Sequence, residues 1–498
     1  MNRDEMLKKV HAQHGPWDVI IIGGGATGLG AAVDSASRGY RTLLLEQHDF
    51  AKATSSRSTK LIHGGLRYLQ QGNIGLVAES LRERGLLCEN APHLVSHLSF
   101  LVPNYHWWEG PFYGIGLKLY DLLAGKLGLE PSKHLSRQQT IRALPTLERE
   151  GLRGGVIYYD GQFDDARLAI ALARTAADHG AVLLNYAKVT SLIKKRGQIC
   201  GVKVTDEEHK HSFTVHGKVV INACGIFSDH VREMDDTKSK PIIAGSQGVH
   251  LVLPRSFMPG KTAILVPHTE DGRVIFLVPW HGRILVGTTD TPVTRLTLEP
   301  QAQKKEIDFL LRHAARYLTK DPKPSDILSV FCGIRPLVHK EHAKSTASLA
   351  RDHTILVSRS NLITITGGKW TTYRQMAEDV IDKAIVTGKL PQRCCITKNL
   401  RLHTDPPLKS SKRLHPHLPY HLADVMRAID EEMARTVEDI LARRTRSLLL
   451  NAKASLKVAP KVAHLLAIAL GKSAAWERKQ VTAYEQVAKH YTLSDTPR

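Results

Sequence analysis

Cysteine is scarce in this chain, with six in 498 residues and no C-x-x-C pair among them. Cys88, Cys200, Cys224, Cys332, Cys394 and Cys395 have neither the spacing of a zinc site nor that of an iron–sulfur cluster. They read as small apolar residues of a reducing compartment rather than as disulfide partners. The 26 histidines form no H-E-x-x-H or comparable cluster, so no metal site is expected. No apolar run approaches the roughly 18–20 residues that a spanning helix needs. The opening MNRDEMLKKVHAQHG carries acids and lacks the apolar stretch of a secretory signal. Acids are short as well: 48 Asp and Glu against 69 Lys and Arg leave a net charge of +21. That balance favours an anionic partner, whether nucleic acid, an anionic membrane surface or acidic small molecules. Residues 391–498 hold 19 basic against 10 acidic side chains, so much of the excess lies in the last fifth. A chain of this length with 42% hydrophobic residues can bury a large core, and two or three domains are expected.

What is present begins with WDVIIIGGGATGLGAAVDSASRGYRTLLLEQ. Val19–Ile22 reads as a buried strand, Gly23–Gly28 as a glycine turn, and Ala31–Arg38 as a small-residue helix stopped by Gly39. Thr42–Leu45 is the second strand, and it ends on Glu46, 18 residues after Gly28. The pattern G-x-G-x-x-G alone is weak, but between a strand and a helix it describes a dinucleotide site. Gly23, Gly25 and Gly28 let backbone approach a pyrophosphate, the helix N-terminus favours its charge, and Glu46 accepts from ribose hydroxyls. An acid at that place argues against a 2′-phosphate, and the spacing leaves NAD and FAD both open.

Downstream, ATSSRSTKLIHGGLRYL sets the hydroxyls of Thr54, Ser55, Ser56, Ser58 and Thr59 beside Arg57 and Lys60, then a His-Gly-Gly turn at His63. Hydroxyl-rich runs are ordinary in surface loops, yet apolar Leu61–Ile62 leading straight into His63 suits a buried turn against a ligand. Residues 242–290 hold the alternating runs GVHLVLP, TAILVP, RVIFLVPW and RILVGTTD, which predict an antiparallel sheet. At NLITITGGKWTTYRQMAEDV a β-branched run halts on Gly367–Gly368, and Lys369 opens a helix-like stretch. A helix start and an ammonium are thereby aimed at one point, which suits an electron-rich or anionic ligand. Residues 391–420 read as a linker, and patterns such as VEDILARRTRSLLLNAKASL predict a helical end to the chain.

Taken together, IIGGGATGLGAAVDSASRG, TSSRSTKLIHGGLRYLQ, YYDGQFDDARL, VPWHGRILVGTTD, GIRPLV and TGGKWTTYRQMAEDV resemble the FAD-dependent, membrane-associated glycerol-3-phosphate dehydrogenases of the glycine/D-amino-acid-oxidase-like flavoprotein superfamily. The likeness runs from about residue 17 to residue 490, with the linker matched least. It implies an α/β fold, α+β overall: a Rossmann-like FAD-binding domain interleaved with an antiparallel-sheet substrate domain, plus a C-terminal helical domain. The expected boundaries are 17–84, 151–235 and 326–390 for the FAD-binding domain, and 85–150 and 236–325 for the substrate domain. The linker follows at 391–420 and the helical domain at 421–498.

The resemblance also assigns residues. Gly23, Gly25, Gly28 and Glu46 match the ADP-binding part, and Thr54, Ser55, Ser56, Lys60 and His63 the loop along the pyrophosphate and isoalloxazine. Gly367, Gly368, Lys369 and Thr371 match the segment against the flavin's pyrimidine end. Arg67, Tyr68, His250, Arg335, Arg351 and Lys369 are the implied substrate contacts, since guanidinium forks suit a phosphate monoester. Catalysis is expected from His250, His63 and Arg335; either histidine could serve as general base, with His250 favoured because flavin contacts occupy His63. The family's N-A-T-G-P-W-S-D stands here as Asn222-Ala223-Cys224-Gly225-Ile226-Phe227-Ser228-Asp229, which puts the threonine's hydrogen bond in question.

The implied reaction is oxidation of sn-glycerol 3-phosphate to dihydroxyacetone phosphate by hydride transfer to FAD, with electrons passed to a membrane quinone. An oxidase that uses O2 and releases peroxide is the chemical alternative. A basic nucleic-acid-binding protein is the alternative of another class, and dispersed charge with no binding module argues against it. The expected location is cytoplasmic and peripheral, on the inner face of the cell membrane, with a homodimer left open. WWEGPFYGIGLKLYDLL or the basic C-terminal helices would dock on anionic lipid, unless those aromatics pack inside the substrate domain.

Overall fold

The computed structural model describes residues 1–65, 69, 72–267, 269–270, 272–339, 352–408 and 412–493. Two sheets organise it. In the first, strand Trp17–Ile22 lies between Thr42–Leu45 and His211–Asn222, all parallel. Val182–Leu184 extends one edge and Leu362–Gly367 the other in parallel, and His353–Val357 closes that edge antiparallel. Val19, Ile20 and Ile21 are fully buried, which is why the central strand reads as a continuous apolar run rather than an alternating one. Helix Ala26–Ser37 returns from the first strand to the second. Its small residues admit close neighbours, and a Cβ at Gly30 would meet the ring of Tyr373 at 2.9 Å.

The second sheet is built on strand Ile243–Pro254. It pairs antiparallel with Ser329–Val338 on one side and, on the other, with Arg283–Gly287 and Thr291–Val293. Ile275–Trp280, Ala263–Val266, Val95–Asn104 and Gly154–Phe163 continue it. The register sets His250 opposite Phe331 and Gly287, and Ser246 opposite Arg335. Two strands that fall inside the expected FAD-binding segments, Gly154–Phe163 and Ser329–Val338, pair in this second sheet. Periodicity shows that a strand exists, and it is silent on which strand becomes its neighbour.

Residues 391–408, part of the stretch 391–420 read as a linker, are pinned to the nucleotide-binding side. The Leu402 amide donates to the Asn90 carbonyl at 2.9 Å, the His403 amide to Thr175 Oγ1 at 2.9 Å, and Asp405 pairs with Arg167 at 3.2 Å. Helices Leu422–Asp430, Ser447–Leu450, Ala452–Ala469 and Ala474–Ala488 complete the fold. They share one apolar core with the second sheet, in which Leu448 and Ile440 pack with Trp280 and Phe331.

The aromatic stretch divides along helix Glu109–Ala124. Tyr113, Leu117 and Tyr120 are buried, while Trp107, Trp108, Phe112, Ile115, Leu119 and Leu122 are exposed. Among the described residues no helix is long and apolar enough to cross a membrane.

The basic C-terminal segment is anchored by buried acids. Arg444 bonds both oxygens of Asp49, at 2.6 and 2.8 Å, and Arg443 reaches the same carboxylate. Burial alone would push the Asp49 carboxyl up, but Arg444 and Arg443 outweigh it and hold it below the usual carboxylate range. Asp49→Ala is therefore expected to cost about 3–5 kcal/mol, because it leaves two buried guanidiniums without their acid. The loss is read as a lowered urea midpoint, with Lys304→Ala in an exposed ion pair as the unchanged control. The stability that Asp49 contributes is present above the unfolded carboxyl pKa and is lost only as pH falls through its lower folded value.

Candidate active site

The first sheet's C-terminal edge and the second sheet's face enclose a cavity of about 810 Å3. One end is built by the glycine turn. Gly23 takes φ +109°, a conformation that other residues rarely adopt, and a Cβ at Gly28 would sit 1.9 Å from the Gly23 carbonyl oxygen. The turn therefore closes tightly enough to bring the start of helix Ala26–Ser37 to the cavity wall. That helix has no acid in its first turn and no side-chain cap on Gly25; the Ala26 amide donates instead to Ser55 Oγ at 2.9 Å. Glu46 lines the cavity and accepts from the amides of Gly24 and His48, at 2.7 and 2.8 Å. Each carboxylate oxygen keeps a further lone pair for a hydroxyl. Burial raises the Glu46 pKa.

At Cys224 the missing threonine hydroxyl is replaced by a thiol that donates to the Ile22 carbonyl at 3.3 Å. Burial pushes that thiol's pKa up, so it stays protonated and keeps its donor.

The other end joins both sheets. Gly367 and Gly368 have φ of +81° and +73°, turning strand Leu362–Gly367 so that both glycines, Lys369 and Thr371 line the cavity. Thr371 Oγ1 receives the His63 amide at 3.2 Å, and the Trp370 indole donates to the Ser55 carbonyl at 2.8 Å. Two loops far apart in sequence are thus stitched along one wall. On the facing strands, Arg335 is held by Thr288 Oγ1 and the Thr289 carbonyl, both at 3.1 Å, and its side chain is about a quarter exposed. A Cβ at Gly248 would lie 2.6 Å from the guanidinium. Two residues further along the same face, His250 is buried, bonded through Nε2 to Thr59 Oγ1 at 2.9 Å. Burial, then the charges of Lys60 and Arg335, hold its pKa well below 6.5, so its ring is neutral.

The cavity brings together Gly23, Gly25, Glu46, Thr54, Ser55, His63, His250, Arg335, Gly367, Gly368, Lys369 and Thr371. Gly28, Ser56 and Lys60 are not part of its lining. Gly28 acts through the turn. Lys60 is fully buried, bonded to Asp165 at 2.6 Å and to the Ser56 carbonyl at 2.9 Å. Arg67, Tyr68 and Arg351 lie outside the described residues. Two features escaped the sequence reading: the bond from Thr59 to His250, and the glycines at 248 and 287 that make room for Arg335 and His250. A glycine interrupting an apolar strand is the signal that marks such close approaches.

The donors fit a flavin dinucleotide: a glycine-bordered helix start with no acid in its first turn for a pyrophosphate, a carboxylate at the end of the second strand, and a cationic glycine turn. Among the described residues no group of His, Cys, Asp and Glu could hold a metal ion.

Comparison with known proteins agrees. Residues 18–374 match the family model described as FAD dependent oxidoreductase, and residues 365–478 that of the C-terminal domain of alpha-glycerophosphate oxidase. The chain is 47% identical to the mitochondrial glycerol-3-phosphate dehydrogenase SDP6 of Arabidopsis thaliana over 78% of its length, spanning 64% of that protein. With the mitochondrial glycerol-3-phosphate dehydrogenase of Rattus norvegicus it is 40% identical over 90% of its length, spanning 70% of that protein. Among solved structures, the FAD complex of the Bacillus halodurans glycerol-3-phosphate dehydrogenase superposes with a TM-score of 0.79 at 27% identity, covering 100% of this chain and 99% of that one. The L-alpha-glycerophosphate oxidase of Mycoplasma pneumoniae, at 18% identity and a TM-score of 0.59 over 79% of this chain and 97% of that one, shares the fold. The chain belongs to the FAD-dependent glycerol-3-phosphate dehydrogenase family.

Proposed function

We propose that this chain oxidises sn-glycerol 3-phosphate to dihydroxyacetone phosphate and passes the electrons to a membrane quinone. The observation that carries the reading is Arg335 beside His250 on one cavity wall. A guanidinium fork suits a phosphate monoester, and a neutral imidazole on the neighbouring strand can take the proton of a neighbouring hydroxyl. When bound, FAD supplies the acceptor for the hydride that leaves the substrate carbon. Of the two ring nitrogens, Nε2 is the one that meets another cavity-lining side chain, Thr59, while Nδ1 is buried. His250 thus takes the proton at Nε2. Arg335 holds the phosphate at a fixed distance from that nitrogen, and Lys369 adds positive charge to the wall where negative charge accumulates. Names of the related proteins, glycerol-3-phosphate dehydrogenases, support the substrate.

The exposed face of helix Glu109–Ala124 supports a membrane-bound acceptor. Ile115 and Leu122 are 74% and 76% exposed and lie one heptad apart. Trp107, Trp108, Phe112 and Leu119 share the exposed apolar surface, with Lys118 and Lys126 alongside. An apolar face of this width bordered by ammonium groups suits an anionic bilayer surface, aromatics at the acyl boundary and lysines at the headgroups. The chain would sit peripherally, on the inner face of the cell membrane.

Three outcomes are expected. Added anaerobically, glycerol 3-phosphate bleaches the flavin absorbance of the FAD-bound protein and glycerol does not. Arg335→Ala lowers kcat/KM for the phosphate ester by roughly the hundredfold or more that removing a charged partner, about 3 kcal/mol, implies. An unbleached wild type sinks the substrate, and peroxide release in air without a quinone requirement sinks the acceptor.

The pH profile follows from the neutral His250. The base must be unprotonated, and kcat, unlike kcat/KM, does not carry the free phosphate ester's own titration at about pH 6. It therefore holds level from neutral pH to below 6.5 and falls only as pH drops through the depressed pKa. An acid limb centred at or above pH 6.5 contradicts the assignment. In flotation with anionic vesicles, the wild type rises with the lipid at low salt, whereas Ile115→Glu with Leu122→Glu stays below. A wild type that remains below at low salt removes the membrane half of the proposal.

A further inference from the structure

His250 sits in a slot with two flat walls. On one face Phe331 stacks on it, centroids 4.7 Å apart and planes 9° from parallel. On the other lies Gly287, where a Cβ would be only 2.3 Å from the ring's Cδ2. Flat walls fix the plane of an imidazole and leave open its half-turn about the Cβ–Cγ bond, which exchanges nitrogen and carbon positions, and its tautomer. Its setting comes from a polar contact, and among the described residues the one that His250 makes is with Thr59, since Nδ1 is buried with no hydrogen-bond partner among them.

Thr59 itself is held on both sides. Ser58 donates its amide and its hydroxyl to Asp165 Oδ2, at 2.9 and 2.7 Å, and Lys60 bonds the same oxygen at 2.6 Å. Lys60 takes φ +65°, a left-handed conformation that a lysine adopts only where its surroundings impose it. Arg446, from the C-terminal helical part, bonds Asp165 Oδ1 at 3.0 Å and the Ser56 carbonyl at 2.7 Å. The threonine therefore reaches His250 from a segment clamped at residues 56, 58 and 60.

We infer that Thr59 is a positioning residue for the oxidation: its hydroxyl sets which way the ring of His250 is flipped and which tautomer it holds. The inference rests on the reading of His250 as the group that takes the substrate's hydroxyl proton. The hydroxyl can donate to a bare Nε2 or accept from a protonated one. Donating puts the ring's own N–H on Nδ1, where burial without a partner is unfavourable, and keeps Nε2 unprotonated; its single lone pair comes free for the substrate proton when the Thr59 hydroxyl turns its hydrogen away. Without the hydroxyl the ring is free to move its proton to Nε2 and turn, and the cavity then faces an N–H instead of a base. The charges facing His250 are Lys60, next to Thr59 in sequence, and Arg335 on the neighbouring strand. Asp165 faces Lys60 and Asp290 faces Arg335 at 3.5 Å, so Thr59 is the uncharged member of the surround.

The test compares FAD-bound wild type with Thr59→Val, Thr59→Ala and Thr59→Ser, by anaerobic flavin reduction with glycerol 3-phosphate across pH. Val and Ala are expected to slow reduction roughly ten- to a hundredfold, the scale of a misplaced catalytic group. The acid limb of the profile shifts in both, while KM and the affinity for inorganic phosphate stay within about twofold of wild type. Ser restores the rate to within about threefold, with the wild-type profile. Two apolar variants guard against one that fails to fold. Wild-type rate and profile in Val or Ala overturn the inference. So does Ser falling as far as Val, since packing of the methyl group would then carry the effect. A wild type that glycerol 3-phosphate does not reduce fails the underlying reading instead, and takes the inference with it.

Discussion

One carboxylate, that of Asp165, has no exposure to water and joins three parts of the chain that are hundreds of residues apart. It opens helix Asp165–Asp178 beneath the nucleotide-binding sheet, accepts from Ser58 and Lys60 in the hydroxyl-rich loop, and meets Arg446 from the C-terminal helices. A buried carboxylate is tolerable only when such donors surround it. Arg446 is equally dependent, fully buried and also bonded to the Ser56 carbonyl. Each group is thus the condition for burying the others, and the loop along the cavity has its path set by all of them at once. Asp49 repeats the device at the end of the cavity near the glycine turn, where Arg443 and Arg444 share it just beyond Glu46.

This arrangement gives the positive charge of the C-terminal fifth a different meaning from the one its composition suggests. An excess of Lys and Arg read from sequence points outward, to lipid or another anion. Three of those arginines point inward and are spent on acids of the nucleotide-binding part. Other basic side chains of that segment, among them Lys453, Lys457, Lys461 and Lys479, stay exposed, while the exposed apolar surface lies elsewhere, on helix Glu109–Ala124.

The legible parts of the fold were those governed by local chemistry. The strand, glycine turn and helix from Trp17 to Ser37 follow from a run buried on both faces and from backbone that only glycine accommodates. The antiparallel strands between 243 and 287 followed from alternation and turn residues. What was not legible depends on pairing at long range. Ser329–Val338 lies beside Ile243–Pro254 because those two surfaces fit, and nothing in either segment names the other. The cavity shows the same divide. Gly23, Glu46 and Gly367 announced themselves by motif, but Lys60, conspicuous in its loop, turns away from the cavity because Asp165 lies behind it. Thr59, one of five hydroxyls in a row, could not be singled out until the strand carrying His250 was placed against it.

The path of residues 391–408 bears on how such a chain can be divided. Those residues cross the outside of the nucleotide-binding part before the C-terminal helices begin, and the helices then return to fill sites inside it. A protein cut at this crossing would lose the guanidiniums that neutralise Asp49 and Asp165, and both acids sit next to residues that line the cavity. The helical segment is therefore not a detachable module despite its position at the end of the sequence. Replacing the helices from residue 421 onward would require rebuilding the loop that borders the cavity.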